Sequence, residues 1–208
     1  MDVSALLIGT VAENAEIAHS EQCQNDKMSF MLIRVLSLIF ILSSCSFVNP
    51  KSPSRKMYFK LPKDYKQINS SSKKDGSFVK EFIPKSEDPQ NWSNMIRYVY
   101  QPTKTEVYEQ FKEMADVIGK VCEEPFVPKP FTGKFGGAEA LNGLTACGKH
   151  PNTKLGEISQ YLMVQDTDGI HSVQKTVRTE PFKEKEANAV IKENLKTWND
   201  FFQTLKFK

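Results

Sequence analysis

Two runs decide the fold: Glu157-Ile158-Ser159-Gln160-Tyr161-Leu162-Met163-Val164-Gln165 and Ile170-His171-Ser172-Val173-Gln174-Lys175-Thr176-Val177-Arg178, joined by Asp166-Thr167-Asp168-Gly169. The outer runs are rich in β-branched and aromatic residues, and the four residues between them are turn formers. Together they predict an antiparallel β-hairpin. Ile158, Leu162 and Val164 alternate along the first strand, with Gln160 breaking the pattern, so one face is expected to be buried.

Upstream of the hairpin, Ala140 to Cys147 is a short strand candidate. It follows a loop holding Gly133, Gly136 and Gly137, which lacks the spacing of a phosphate-binding motif and is read as turn geometry. Farther back, Val107, Phe111, Met114, Ala115, Ile118 and Val121 recur at helical spacing. Thr103-Lys104-Thr105-Glu106 before them fits a capping box. The breaker-rich stretch Pro125–Pro130 ends that helix. Strands are expected at Met57–Leu61, Ser77–Ile83 and Trp92–Tyr100, with Asn69–Gly76 as a loop. Downstream, Ala187, Val190, Ile191, Leu195, Trp198, Phe201, Phe202 and Leu205 mark an amphipathic helix over Glu184–Leu205, with Pro181 suiting its start. The expected order is βββαβββα, an α+β fold in which an antiparallel sheet packs against two helices, after a cleaved signal peptide.

The chain has 208 residues, enough for one domain and a targeting segment. Its hydrophobic fraction of 39% and charged fraction of 25% match an ordinary globular protein. Residues 1–44 carry Lys27 and Arg34 against five acidic residues, a charge of −3, which leaves +6 for the rest of the +3 chain. Many lysines are scattered singly, which reads as a solvated surface, with a basic face for anionic lipid or glycan as the alternative. Nucleic acid is not expected as a partner.

The most apolar stretch is Val35-Leu36-Ser37-Leu38-Ile39-Phe40-Ile41-Leu42, preceded by Arg34 and followed by Ser43-Ser44-Cys45. A basic residue, a short apolar run and small residues make a secretory signal peptide. The run is shorter than the roughly 20 residues a permanent span needs. Leu42-Ser43-Ser44-Cys45 resembles the lipobox of bacterial lipoproteins. That resemblance implies a diacylglycerol thioether on Cys45, cleavage before it and acylation of the new amino terminus. The membrane is then the first partner, held through acylated Cys45. Ser46 after the cysteine, where inner-membrane retention often shows Asp, favours the outer membrane by family habit. Residues 1–27 are acidic and do not suit a signal peptide. Translation is therefore expected to start at Met28, leaving 1–27 as a misannotated leader, 28–44 as the signal peptide, 45–56 as a lipid-anchored tether and 57–208 as the globular domain.

Cys23 would leave with the leader and Cys45 would be lipidated, so Cys122 and Cys147 remain. In an oxidising compartment they are expected to form a disulfide, ahead of free thiols or a zinc site with His150. Leu61-Pro62-Lys63-Asp64-Tyr65, with the central helix, late hairpin and closing helix, is similar to the PsbP-like group of small envelope and lumen proteins. Glu81-Phe82-Ile83-Pro84 and Asn91-Trp92-Ser93-Asn94-Met95 resemble segments of uncharacterised envelope proteins. For chemistry, the mature chain offers only His150 and His171 as bases, with no G-x-S-x-G and no H-E-x-x-H. Asp166 and Asp168 have the spacing of calcium ligands without the rest of the loop, and are read as turn residues. No catalytic residue, metal or cofactor is assigned. The expected function is a non-catalytic binding or assembly component of the envelope, with a protein or glycan partner. The alternative is an envelope hydrolase or small-ligand carrier.

Overall fold

The hairpin expected from residues 157–178 lies at the centre of the sheet. The structure, a computed structural model, describes residues 53–208. The leader, the signal peptide, Cys45 and the tether up to Ser52 lie outside the described residues. In chain order the strands are β1 Met57–Tyr58, β2 Tyr65–Ser72, β3 Phe78–Pro84, β4 Asn94–Gln101, β5 Glu123–Phe126, β6 Phe131–Phe135, β7 Ala138–Lys149, β8 Gly156–Gln165, β9 Ile170–Thr179 and β10 Lys206–Phe207. The helices are α1 Val107–Val121, between β4 and β5, and α2 Ala187–Phe202, between β9 and β10. A short 3-10 turn, Glu184–Glu186, leads into α2.

Eight strands form one antiparallel sheet, ordered β2-β3-β4-β9-β8-β7-β5, with β6 also paired to β7. The fold class is the expected α+β, an antiparallel sheet with two helices. The helices lie on opposite faces. Ile158 of β8 and Val177 of β9 pack with Ala187, Ile191 and Trp198 of α2. Tyr161 and Met163, of opposite parity on β8, pack with Val107 and Phe111 of α1. Both faces of β8 are buried, rather than the single face expected, so Ser159 and Tyr161 are buried as well as Ile158 and Val164.

One turn conformation and two contacts fix local geometry. Gly136 and Gly137 both have positive φ, 58° and 83°, which suits a two-residue hairpin turn of the primed type between β6 and β7. Gly133, expected in the same loop, instead sits within β6. At Gly143 of β7 a Cβ would meet the ring of Phe111, with Cζ at 2.7 Å, so the glycine lets α1 seat on the sheet. The β8–β9 turn closes with the Asp166 amide donating to the Gly169 carbonyl at 2.7 Å.

Differences from the expected elements have local causes. Thr103 does not cap α1: its hydroxyl accepts from the Thr105 amide at 3.1 Å, a local turn that takes it out of the helix. Glu106 is the N-cap and makes no side-chain cap bond. The first strand is two residues long rather than five, and it pairs with β10, a strand that follows directly on the end of the expected closing helix. Residues expected as loop form part of β2, and the breaker-rich stretch contributes to β5. Pro125 is tolerated there because β5 is an edge strand.

Candidate functional site

Cys122 and Cys147 are joined as a disulfide, with 5.6 Å between their Cα atoms. Cys122 is the C-cap of α1, its amide donating to the Ile118 carbonyl at 3.0 Å, and Cys147 is buried in β7. The bridge therefore ties the end of the helix to the sheet that it packs on. It also uses both thiols, which removes the zinc alternative with His150. Cys45, the expected lipidation site, lies outside the described residues.

The two histidines are not brought together. His150 is buried at the end of β7, where Nδ1 accepts from the amides of Asn152 at 3.2 Å and Thr153 at 3.4 Å. It organises the turn between β7 and β8. His171 of β9 is fully buried, its ring 4.7 Å from that of Tyr100 and 5.3 Å from that of Phe207. Its Nδ1 lies 2.9 Å from the Tyr98 hydroxyl, which also accepts from the Met57 amide at 3.1 Å. Burial pushes the His171 imidazole down to about 4; Asp166 opposes that shift and Arg55 adds to it. His171 is thus held neutral near pH 7. Asp166 accepts from the Ser54 hydroxyl at 3.3 Å, and the Asp168 carbonyl accepts from the Tyr100 hydroxyl at 3.0 Å. Both aspartates serve the turn and its neighbours, as turn residues do. No group of three or more His, Cys, Asp or Glu side chains suited to a metal occurs among the described residues.

A polar seam runs across the face that carries α1. Register aligns Glu81 with Arg97, Arg97 with Gln174, Gln174 with Tyr161, and Tyr161 with Gly143. The Arg97 guanidinium pairs with Glu81 at 2.6 Å, both side chains nearly buried. Gln174 Nε2, which has two hydrogens to share, lies within donating distance of the hydroxyls of Ser159 at 3.1 Å, Tyr161 at 3.2 Å and Thr176 at 2.8 Å. Ser159 and Thr176 bond each other at 2.7 Å. One row away, Arg178 pairs with Glu157 at 3.0 Å and lies 3.7 Å over the Trp92 ring. Burial raises the Tyr161 phenol, which stays neutral. Ser159 and His171 point to opposite faces of the sheet, because they differ in strand parity, so this hydroxyl cluster has no histidine base beside it. The seam orders and polarises the sheet face.

On the opposite face Lys175 is buried, its ammonium 5.8 Å from the Phe201 ring centroid and 6.0 Å from that of Trp198. Desolvation lowers its pKa, opposed by the charges of Asp64 and Asp200. Beside it in register, Gln160 leaves Oε1 buried and without a partner. Sequence reasoning missed both clusters. The detectable signal was the set of polar residues at alternate positions of strands that also carry apolar ones.

The last structured feature is where the chain enters the domain. Pro53 is buried, and Arg55 donates to the Gly136 carbonyl at 2.6 Å and lies 4.0 Å over the Phe207 ring. Lys56 and Lys208 exchange backbone bonds of 2.8 and 3.2 Å. Residues 53–56, expected as the end of the tether, are seated against the domain by these contacts. No helix among the described residues is long and apolar enough to cross a membrane.

No family model and no curated protein matches the chain. Among solved structures, a point mutant of the protein Mog1 is similar at 11% identity, covering 73% of this chain and 89% of that one, with a TM-score of 0.48. The Saccharomyces cerevisiae Ran-binding protein Mog1p is similar at 12% identity, covering 76% and 96%, also at 0.48. LpqN of Mycobacterium tuberculosis, described as involved in cell envelope biogenesis, is similar at 9% identity, covering 76% and 86%, at 0.40.

Proposed function

We propose that the chain is the precursor of an envelope lipoprotein, acylated on Cys45. Its domain serves as a non-catalytic binding or assembly component facing the periplasm, with the outer membrane as the favoured site. The observation that carries this reading is the Cys122–Cys147 disulfide behind a lipobox-like sequence. Disulfides persist in oxidising compartments, which is where a lipobox would deliver the domain. Several acyl chains would make a stable tether, since each buried methylene adds about 0.8 kcal/mol. Inert environments of both histidines favour binding over hydrolysis. His150 is spent on its own turn, and His171 is sealed among aromatic rings.

Growing cells with labelled palmitate tests the anchor. Label is expected on the wild-type chain and absent from a Cys45→Ala variant; an unlabelled wild-type chain would overturn the reading.

A further inference from the structure

The ribbon formed by β1 and β10 has two different sides. Met57 and Phe207 face inward and are buried in the main core, with Phe59 and Leu61 packed against the same cluster and Leu205 within it. Strand alternation sends the intervening residues outward: Lys56, Tyr58, Lys60, Lys206 and Lys208 are all exposed, Tyr58 at 53%. Four lysines thus surround one exposed aromatic ring. Neither Pro53–Lys63 nor Thr204–Lys208 contains an acidic residue.

What sets the ribbon apart is this absence of acidic residues from both its segments, since most described lysines make no ion pair. Among those that do, Lys112 pairs with Asp116, Lys134 with Glu139 and Lys149 with Glu123. Among the described residues, none of the four ribbon lysines has an ion-pair partner. The patch is also held rigidly. Lys56 and Lys208 are cross-bonded through their backbones, the Lys60 amide donates to the Thr204 hydroxyl at 3.2 Å, and Arg55 is fixed to Gly136 and Phe207.

We infer that the outward face of this ribbon docks on anionic phospholipid headgroups, laying the domain against a bilayer surface. Lysine stems carry their charges to phosphate level, and a tyrosine ring suits the boundary between headgroup and acyl chain. The inference rests on the lipoprotein reading for what brings the bilayer near. Lys56 follows Cys45 by eleven residues, a span of at most about 40 Å when extended. An anchored domain would therefore hold this patch within reach of the surface at all times.

The test uses the chain from Pro50 to Lys208, a compact unit holding every described strand and helix and the disulfide. It carries no acyl group, so its outcome is separate from that of palmitate labelling. Sedimentation with phosphatidylethanolamine vesicles, with and without phosphatidylglycerol, reads the binding. Binding is expected only with phosphatidylglycerol, and it should weaken as salt is raised. Lys60→Ala with Lys206→Ala should weaken it roughly 25-fold, about fivefold for each lysine. Lys73→Ala with Lys74→Ala, an equal loss of charge in the β2–β3 turn, should leave it within twofold of the parent. Equal losses in the two double variants would overturn the inference. So would binding to an anionic polysaccharide without binding to phosphatidylglycerol vesicles.

Discussion

The Phe111 ring of α1 packs directly over Gly143 in β7, so that any side chain at position 143 would occupy the space of the ring. This contact sets the distance of α1 from the sheet, and with Val107, Leu141, Tyr161, Met163 and Ile170 it builds the core beneath α1. Gly143→Ala is expected to destabilise the domain by about 1–3 kcal/mol through overpacking. Gly119, exposed on the same helix with nothing near its missing Cβ, supplies the contrast. Gly119→Ala should stabilise by roughly 0.5–1 kcal/mol through helix propensity. Urea unfolding of the two variants checks both signs, and equal shifts would refute the assignment.

The disulfide closes a loop with a sequence separation of 25 residues. Its removal is expected to cost about 3 kcal/mol, mainly through the freedom regained by the unfolded chain. Thermal melts of the oxidised domain, the reduced domain and a Cys122→Ser, Cys147→Ser double variant provide the measurement. The latter two should coincide well below the first. Three superimposable melts would mean that the bridge constrains little.

Arg97 and Glu81 form a nearly buried pair within the polar seam. Truncating one partner leaves the other charge uncompensated, so Glu81→Ala should cost roughly 3 kcal/mol. Replacing both, as Glu81→Leu with Arg97→Met, should recover most of that loss, because the pair repays little beyond its own desolvation. A double-mutant cycle of Glu81→Leu, Arg97→Met and the two combined, by denaturant titration, measures the coupling. Additive losses would show that the two side chains act independently.

His171 gives the domain a predictable acid response. Burial holds its folded pKa at about 4, below the ordinary value of 6.5. The unfolded chain therefore takes up the proton first, and stability falls as pH drops from about 6.5 towards 4. The contribution is complete above that window. His171→Gln should flatten this part of the stability profile relative to wild type while leaving carboxylate titrations in place. Parallel profiles would contradict the assignment.

The hairpin, the two helices and the disulfide were legible because each depends on short-range pattern: alternation, helical spacing, or the count of cysteines left after processing. The missed elements depend on distant partners. The end of β2 reads as a loop because Asn69 to Ser72 are polar, yet an edge strand exposed on both faces, as these four residues are, needs no apolar residues. Lys206–Phe207 becomes a strand only because Met57–Tyr58 arrives beside it from the other end of the domain. The seam was hidden for a related reason. Gln174 and Tyr161 face each other across the hairpin, but Arg97 comes from a distant strand, and register alone places it in their row.

A lipid anchor at Cys45 is read out by mass spectrometry of tryptic peptides from the protein isolated from its native membranes. The expected species is a peptide beginning at Cys45 and ending at Lys51, carrying diacylglycerol and an amide-linked acyl chain. Recovery of an unmodified Val35–Lys51 peptide as the dominant species would contradict it.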